Sequence, residues 1–425
     1  MSDEILRVED LSTRFFTEKG QVNAVSNLDL SIEGGEVFGI VGESGSGKSV
    51  LARSVMGLIE SPGEITSGTV EYRNEELAAA VREDNPDAVD GEYVDLHAVP
   101  AAVRPLTKVN AARYEWYVDL RAVPAAVRRG LRGSSFSMIF QDPESSFNPS
   151  LTVGEQIAEA VEVQRRASAR PRSTAARTAE YSLSSFVAST VLDSQKFITS
   201  ESRAEAVELL DEVGIPDPAE RAQEYPHEYS GGMLQRAMIA QALAGEPDVL
   251  VADEPTTALD VTIQAQILDI LRDLQAEIDM TILLITHNLG VIARMCDRVG
   301  VMYAGEIVER GTLADIFDNP VHPYTQGLLG SIPDLDAAEG RLQPIEGNVP
   351  SLLDEEMDDR CQFADRCPKA MAECLETPPE FPCAGSDHHQ AKCYLADHEY
   401  EPDQRLPEGY FESEAIDRPE ADGDD

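Results

Sequence analysis

The densest concentration of chemically useful residues is Gly42, Glu43, Ser44, Gly45, Ser46, Gly47, Lys48 and Ser49. Their order fits G-x-x-x-x-G-K-[ST], a phosphate-binding loop. Glycines let successive backbone N–H groups turn toward one anion with no Cβ in the way. Lys48 is placed to reach the terminal phosphates of a nucleotide, and the Ser49 hydroxyl to bind Mg2+. A second constellation is Val249-Leu250-Val251-Ala252-Asp253-Glu254, an apolar run that ends in two carboxylates. There Asp253 can hold Mg2+, directly or through water, and Glu254 can polarise an attacking water as general base. Taken alone, this second pattern also describes a solvated strand end.

The elements that must position these groups follow from hydrophobic patterning. The run Val37–Val41 precedes the glycine-rich loop, and a helical pattern (Val50, Leu51, Val55, Met56) follows it. Strand, loop, helix is the layout of an α/β phosphate site, with the helix N-terminus aimed at the anion. Val249–Ala252 and Thr281–Thr286 read as further strands buried on both faces of a parallel sheet, the second ending at His287. A helix from about Thr262 to Ile278 is expected between them.

A third motif, Ser230-Gly231-Gly232-Met233-Leu234-Gln235, lies between the loop and the Asp-Glu strand. In that order the three motifs resemble the ABC ATPases. Gln141 in Phe140-Gln141-Asp142-Pro143 resembles the family's Q-loop, Thr257-Ala258-Leu259-Asp260 its D-loop, and His287 its switch histidine. Phe15, with Phe16 adjacent, stands where the family has an adenine-stacking aromatic. The resemblance covers roughly residues 5–395, apart from two insertions.

The resemblance implies an α/β fold of the P-loop NTPase, ABC ATPase type. It would have a RecA-like core, an antiparallel β subdomain and a helical signature subdomain at about 142–235, all within a nucleotide-binding domain spanning 1–330. It implies a nucleotide-binding set of Phe15, Gly42 to Ser49, Ser230, Gly231, Gly232, Gln235 and Asp260. Glu254, His287 and Gln141 would be catalytic, and Ser49, Gln141 and Asp253 would hold Mg2+. In the family two subunits close face to face on two ATP molecules. The Ser230 hydroxyl and the Gly231 and Gly232 amides would meet the γ-phosphate held by the other subunit.

Finer details narrow the group. Ser146-Phe147-Asn148-Pro149, Tyr225-Pro226-His227-Glu228-Tyr229, Val301-Met302-Tyr303-Ala304-Gly305 and His322-Pro323-Tyr324-Thr325 together resemble the ATPase subunits of dipeptide, oligopeptide and nickel importers. That likeness implies, as partners, a second homologous ATPase subunit, two membrane permease subunits and an extracellular solute-binding protein. The chain would then act peripherally at the cytoplasmic face of the membrane. ATPases of nickel or oligosaccharide importers are the alternatives, as are non-transport ABC ATPases. The latter carry two ATPase units or a long coiled coil, and neither is visible here. A non-catalytic regulatory subunit would show a damaged Lys48, Glu254 or His287, and none is damaged.

Five of the six cysteines crowd residues 361–393. Clustered thiols point to metal binding more than to disulfides. In the importer group the positions of Cys361, Cys367, Cys374 and Cys393 carry a [4Fe–4S] cluster. On chemistry alone four thiolates suit zinc as well, although spacings wider than C-x-x-C lean against it. Cys383 departs from the group's pattern, and His388 and His389 are spare ligands nearby. This region, residues 331–398, reads as a C-terminal extension, and 399–425 as an acidic, disordered tail.

Composition sets the outer limits. Asp and Glu total 78 against 34 Lys and Arg, a net charge of −44, and the acidic residues are spread along the chain. Such a surface repels nucleic acid and resembles adaptation to high salt. The acidic start, MSDEILRVEDL, lacks a signal-peptide pattern, and no apolar run reaches membrane-spanning length. Insertions are expected at about 74–135 and 165–202. The first holds an internal repeat, YVDLHAVPAAVR at 93–104 and YVDLRAVPAAVR at 117–128. No function is read from either insertion.

Overall fold

The computed structural model describes residues 4–73, 89–90, 93–94, 117–119, 132–133, 135–169, 198–257, 259–331, 345–347, 350–353, 359–384, 386–397, 400–407 and 410–411. Most of both expected insertions, most of the repeat and the end of the tail lie outside these residues.

The strands are β1 (Glu4–Thr17), β2 (Gly20–Glu33), β3 (Val37–Val41), β4 (Gly63–Arg73), β5 (Val89–Asp90), β6 (Tyr93–Val94), β7 (Tyr117–Asp119), β8 (Phe136–Ile139), β9 (Val249–Asp253), β10 (Thr281–Thr286), β11 (Arg298–Tyr303), β12 (Glu306–Thr312), β13 (Phe381–Pro382) and β14 (Gln390–Ala391). The helices are α1 (Lys48–Val55), α2 (Pro143–Ser146), α3 (Val153–Ala169), α4 (Ser200–Glu212), α5 (Pro218–Arg221), α6 (Gly231–Leu243), α7 (Val261–Ile278), α8 (Leu289–Met295), α9 (Leu313–Asp318) and α10 (Pro323–Gly330).

An eight-stranded sheet runs β13-β14-β12-β11-β3-β10-β9-β8. Its central strands β11, β3, β10, β9 and β8 pair in parallel. Every residue of β3, β9 and β10 is buried, as their unbroken apolar runs require. The two-residue period divides them between two cores. Val37, Val41, Leu250, Ala252, Ile282 and Leu284 face the core built with α6, α7 and α8. Phe38, Ile40, Val249, Val251, Leu283 and Ile285 face the other, built with α1, β1 and β2.

The antiparallel sheet β2-β1-β4-β7 covers that second core. Helices α3, α4 and α6 pack together as the helical part. The C-terminal region is continuous with the ATPase domain: β12 pairs with β14, placing Glu309 against Ala391 and Arg310 against Gln390. The tail, expected to be disordered from residue 399, is structured at 400–407, where Leu406 N donates to Ala370 O and Met371 bridges Arg405.

Candidate functional site

The phosphate loop joins β3 to α1 at the carboxyl end of the parallel sheet. Two glycines explain its course. A Cβ on Gly47, at φ +101°, would sit 2.1 Å from Ala24 O, and one on Gly42 would sit 2.1 Å from Met302 O. The loop therefore threads between β2 and β11, closer than any side chain allows. Gly305 N, in the β11–β12 turn, donates to Ser46 O at 3.0 Å and ties the loop from outside.

Lys48 is buried, and its Nζ donates to Gly42 O (2.9 Å) and Glu43 O (2.8 Å). Burial lowers its pKa, against the raising charges of Glu254, Asp253 and Glu43. Ser49 Oγ donates to Asp253 Oδ1 at 3.0 Å. Asp253 is 2% exposed, and burial pushes its carboxyl above the ordinary range despite that bond. A buried carboxylate beside a hydroxyl is a hard oxygen donor set, the kind Mg2+ takes together with phosphate oxygens. Ser49 and Asp253 fit that ion and would hold it, and the ion would supply charge neutralisation for the phosphates.

Glu254 is the hub of the site. Its backbone is in the left-handed region at φ +50°, held by donation from its N–H to Ile285 O at 2.8 Å. A non-glycine residue there costs on the order of 1–3 kcal/mol, a strain that recurs at functional positions. The carboxylate meets His287 Nδ1 at 3.0 Å through Oε1, and accepts from Thr257 Oγ1 (2.8 Å) and Gln141 Nε2 (3.1 Å) at Oε2. Burial raises its pKa, but the bonds from His287 and Thr257 and the charges of His287 and Lys48 outweigh this and hold it below the ordinary value. Glu254 is thus an ionised carboxylate, fixed by Thr257 three residues along and by Gln141 and His287 from two other segments.

The remaining expected residues divide. Ser230 caps α6, its Oγ accepting from Met233 N at 3.3 Å, and Ser230 and Gly231 are exposed. Asp260 caps α7, accepting from Thr262 N and Ile263 N at 3.0 Å. Phe15 is half-buried against Gly63, and Phe16 is the exposed aromatic of the pair, at 49%. Gln235, expected among nucleotide contacts, is 1% exposed, and its Nε2 has no hydrogen-bond partner among the described residues. It faces the interior, unlike the exposed Ser230 and Gly231. Thr257, which donates to the Glu254 carboxylate, was legible only as a member of the D-loop string.

The cysteines are all free thiols. Burial pushes Cys361 up to about 12 and Cys367 to about 11, and Cys374 also upward. Burial also raises Cys393; in the packing Cys361 lies against the cluster of Cys374, and Cys393 groups with Cys383 and Ala391. Cys383 is raised by burial and by Glu309, Asp315 and Glu380. Among the described residues, no three His, Cys, Asp or Glu side chains form a group able to hold a metal ion. His389, a spare ligand in the sequence, is committed to Glu309 through Nε2 at 2.8 Å.

A phosphate loop, a hydroxyl beside a buried carboxylate and a second carboxylate held by a histidine are the arrangement of a P-loop ATPase. The ABC transporter sequence profile matches residues 25–100 and 118–257. The profile described as oligopeptide/dipeptide transporter, C-terminal region, matches residues 308–374. The dipeptide transport ATP-binding protein DppD of Bacillus subtilis is 40% identical over 396 residues, covering 93% of this chain and 96% of its own. The oligopeptide transport ATP-binding protein AppD of the same organism is 37% identical, covering 93% and 98%. A putative peptide import ATP-binding protein of Brucella abortus, BAB2_0817, is 40% identical, covering 92% and 96%. The chain belongs to the ATP-binding subunits of the ABC transporter family and is an ATPase.

Proposed function

We propose that this chain is the motor subunit of an importer for dipeptides or oligopeptides, coupling ATP-driven subunit closure to solute uptake. The observation that carries the reading is the match of residues 308–374 to the oligopeptide/dipeptide transporter C-terminal region, on a chain whose Glu254 and His287 are in contact. Glu254 orients and deprotonates water, His287 and Gln141 hold Glu254, and Lys48 and the loop amides bind the phosphates. Ser230 and Gly231, exposed at the start of a 13-residue helix, supply an anion-binding surface for nucleotide on a second subunit. The partners on this reading are a homologous ATPase subunit, two permeases and an extracellular solute-binding protein. Among the described residues no helix is long and apolar enough to cross a membrane, so permeases would supply the passage and place this chain peripherally at the cytoplasmic face.

Disrupting this chain in its host is expected to abolish uptake of labelled di- and tripeptides. Unchanged peptide uptake, with loss of nickel or oligosaccharide uptake, would overturn the peptide assignment. An iron–sulfur cluster on Cys361, Cys367, Cys374 and Cys393 rests on the match of these four positions to the importer group's cysteines, since among the described residues the side chains do not form a metal-holding group. Iron and acid-labile sulfide in anaerobically purified protein would support it, and their absence would reject it. The net charge of −44 supports adaptation to high salt, for which ATPase activity should rise from low to molar salt. A falling profile would refute it.

A further inference from the structure

Glu43, the second residue of the phosphate loop, is held at both its backbone and its side chain by residues outside the nucleotide core. Its backbone N–H donates to Tyr324 Oη at 2.8 Å. Its carboxylate receives both ends of the Arg366 guanidinium, Nη1 to Oε2 at 2.7 Å and Nη2 to Oε1 at 3.1 Å. Arg366 lies in the cysteine-bearing region, 323 residues along the chain from its partner. Its side chain is 6% exposed and that of Glu43 25%. The guanidinium is itself fixed: Nε donates to Glu346 O at 3.0 Å, and its carbon lies 5.7 Å from the Tyr303 ring centroid and 5.9 Å from that of Phe363. Tyr324 belongs to the His322-Pro323-Tyr324-Thr325 segment, whose chemical purpose the sequence leaves open. His322 Nδ1 caps α10 by accepting from Tyr324 N at 3.1 Å, which sets the direction of the tyrosine.

We propose that Arg366 is a positioning residue for the nucleotide site: by gripping the Glu43 carboxylate while Tyr324 takes the Glu43 amide, the C-terminal region presets the phosphate loop and raises the chain's affinity for ATP. Two physical effects act in the same direction. First, Lys48 Nζ rests on the Glu43 carbonyl, so fixing Glu43 fixes the platform of the lysine that must reach the phosphates. A loop ordered before the nucleotide arrives loses less freedom on binding. Second, the two-pronged arginine neutralises a carboxylate that would otherwise repel the incoming phosphates at the mouth of the loop. A lysine could not reproduce the fork. The C-terminal region is thereby wired to the ATPase site of its own subunit, and any event that moves Arg366 changes ATP affinity.

The experiment is a double-mutant cycle on the full chain with R366M, E43Q and R366M/E43Q. It follows equilibrium binding of a fluorescent ATP analogue together with KM and kcat, and uses circular dichroism to confirm folding. R366M is expected to weaken ATP binding on the order of tenfold, about 1.4 kcal/mol, seen in KM with kcat at saturating ATP within about twofold. Adding E43Q to R366M is expected to cause no further loss and to recover part of the affinity, because the unpaired carboxylate is gone. R366K is expected to recover only part of the loss. ATP binding by R366M within twofold of wild type overturns the proposal. So does full additivity of the two changes, which would mean Arg366 acts through Tyr303 and Glu346 alone. K48A serves as reference: if it binds ATP as wild type does, the nucleotide site itself is misassigned, a failure distinct from that of the clamp.

Discussion

Replacing Glu254 by glutamine tests the assignment of the base with little change of shape. The carboxylate takes His287 Nδ1 on one oxygen and Thr257 Oγ1 and Gln141 Nε2 on the other. Glutamine keeps the volume and one acceptor, but loses the charge and offers an N–H2 where a donor now points. A positioned general base contributes roughly 10²–10⁴ in rate, which converts to about 2.7–5.4 kcal/mol of barrier. Turnover should fall by that factor. ATP binding should persist or tighten, because a negative charge near Lys48 and the phosphates is removed. The assay is phosphate release at saturating Mg-ATP beside equilibrium ATP binding and nucleotide-dependent association by light scattering. Slow hydrolysis with stable, ATP-dependent association is the expected result. Turnover within tenfold of wild type would refute the base assignment. Loss of ATP binding together with turnover would refute it too, since Glu254 would then support the loop and not the water.

Two further expectations concern the joint between the ATPase sheet and the C-terminal region. Glu309 is 1% exposed and accepts from Val321 N (2.7 Å), His322 N (3.0 Å) and His389 Nε2 (2.8 Å). Glu309→Ala strands two buried donors and one partly buried one and should cost about 3 kcal/mol in denaturant unfolding, whereas a loss under about 1 kcal/mol would show that the joint relaxes. His322 is fully buried, and burial lowers its pKa from 6.5 to about 4. The unfolded chain therefore binds the proton first, so this contribution is complete above pH 6.5 and is lost as pH falls toward 4. The fall from 6.5 to about 4 corresponds to on the order of 3 kcal/mol. His322→Asn keeps an acceptor for Tyr324 N and should lack this slope when stability is compared with wild type across the window. Identical pH profiles would refute the assignment.

The strands and the loop that carry the candidate nucleotide site were legible in the sequence because they are built from local strings. A strand buried on both faces must be an unbroken apolar run, as Val37–Val41 and Thr281–Thr286 are, and the groups at such strand ends follow from counting. The glycines of the loop announce a backbone course that side chains would block. The charge of −44 is likewise a property of composition alone.

Tertiary structure decided what depends on the meeting of distant segments. That Gln141 and His287 converge on the Glu254 carboxylate follows from the parallel order β10-β9-β8, and no spacing along the chain encodes it. The interior placement of Gln235 reflects which side of α6 faces the core, a choice made by packing. The C-terminal region reads in sequence as an appendage beginning near residue 331, yet its strands extend the central sheet and its Arg366 reaches back to Glu43. An ion pair between residues so far apart leaves no local pattern, because each partner alone is an ordinary charged residue. Only the fold brings the fork and the carboxylate together.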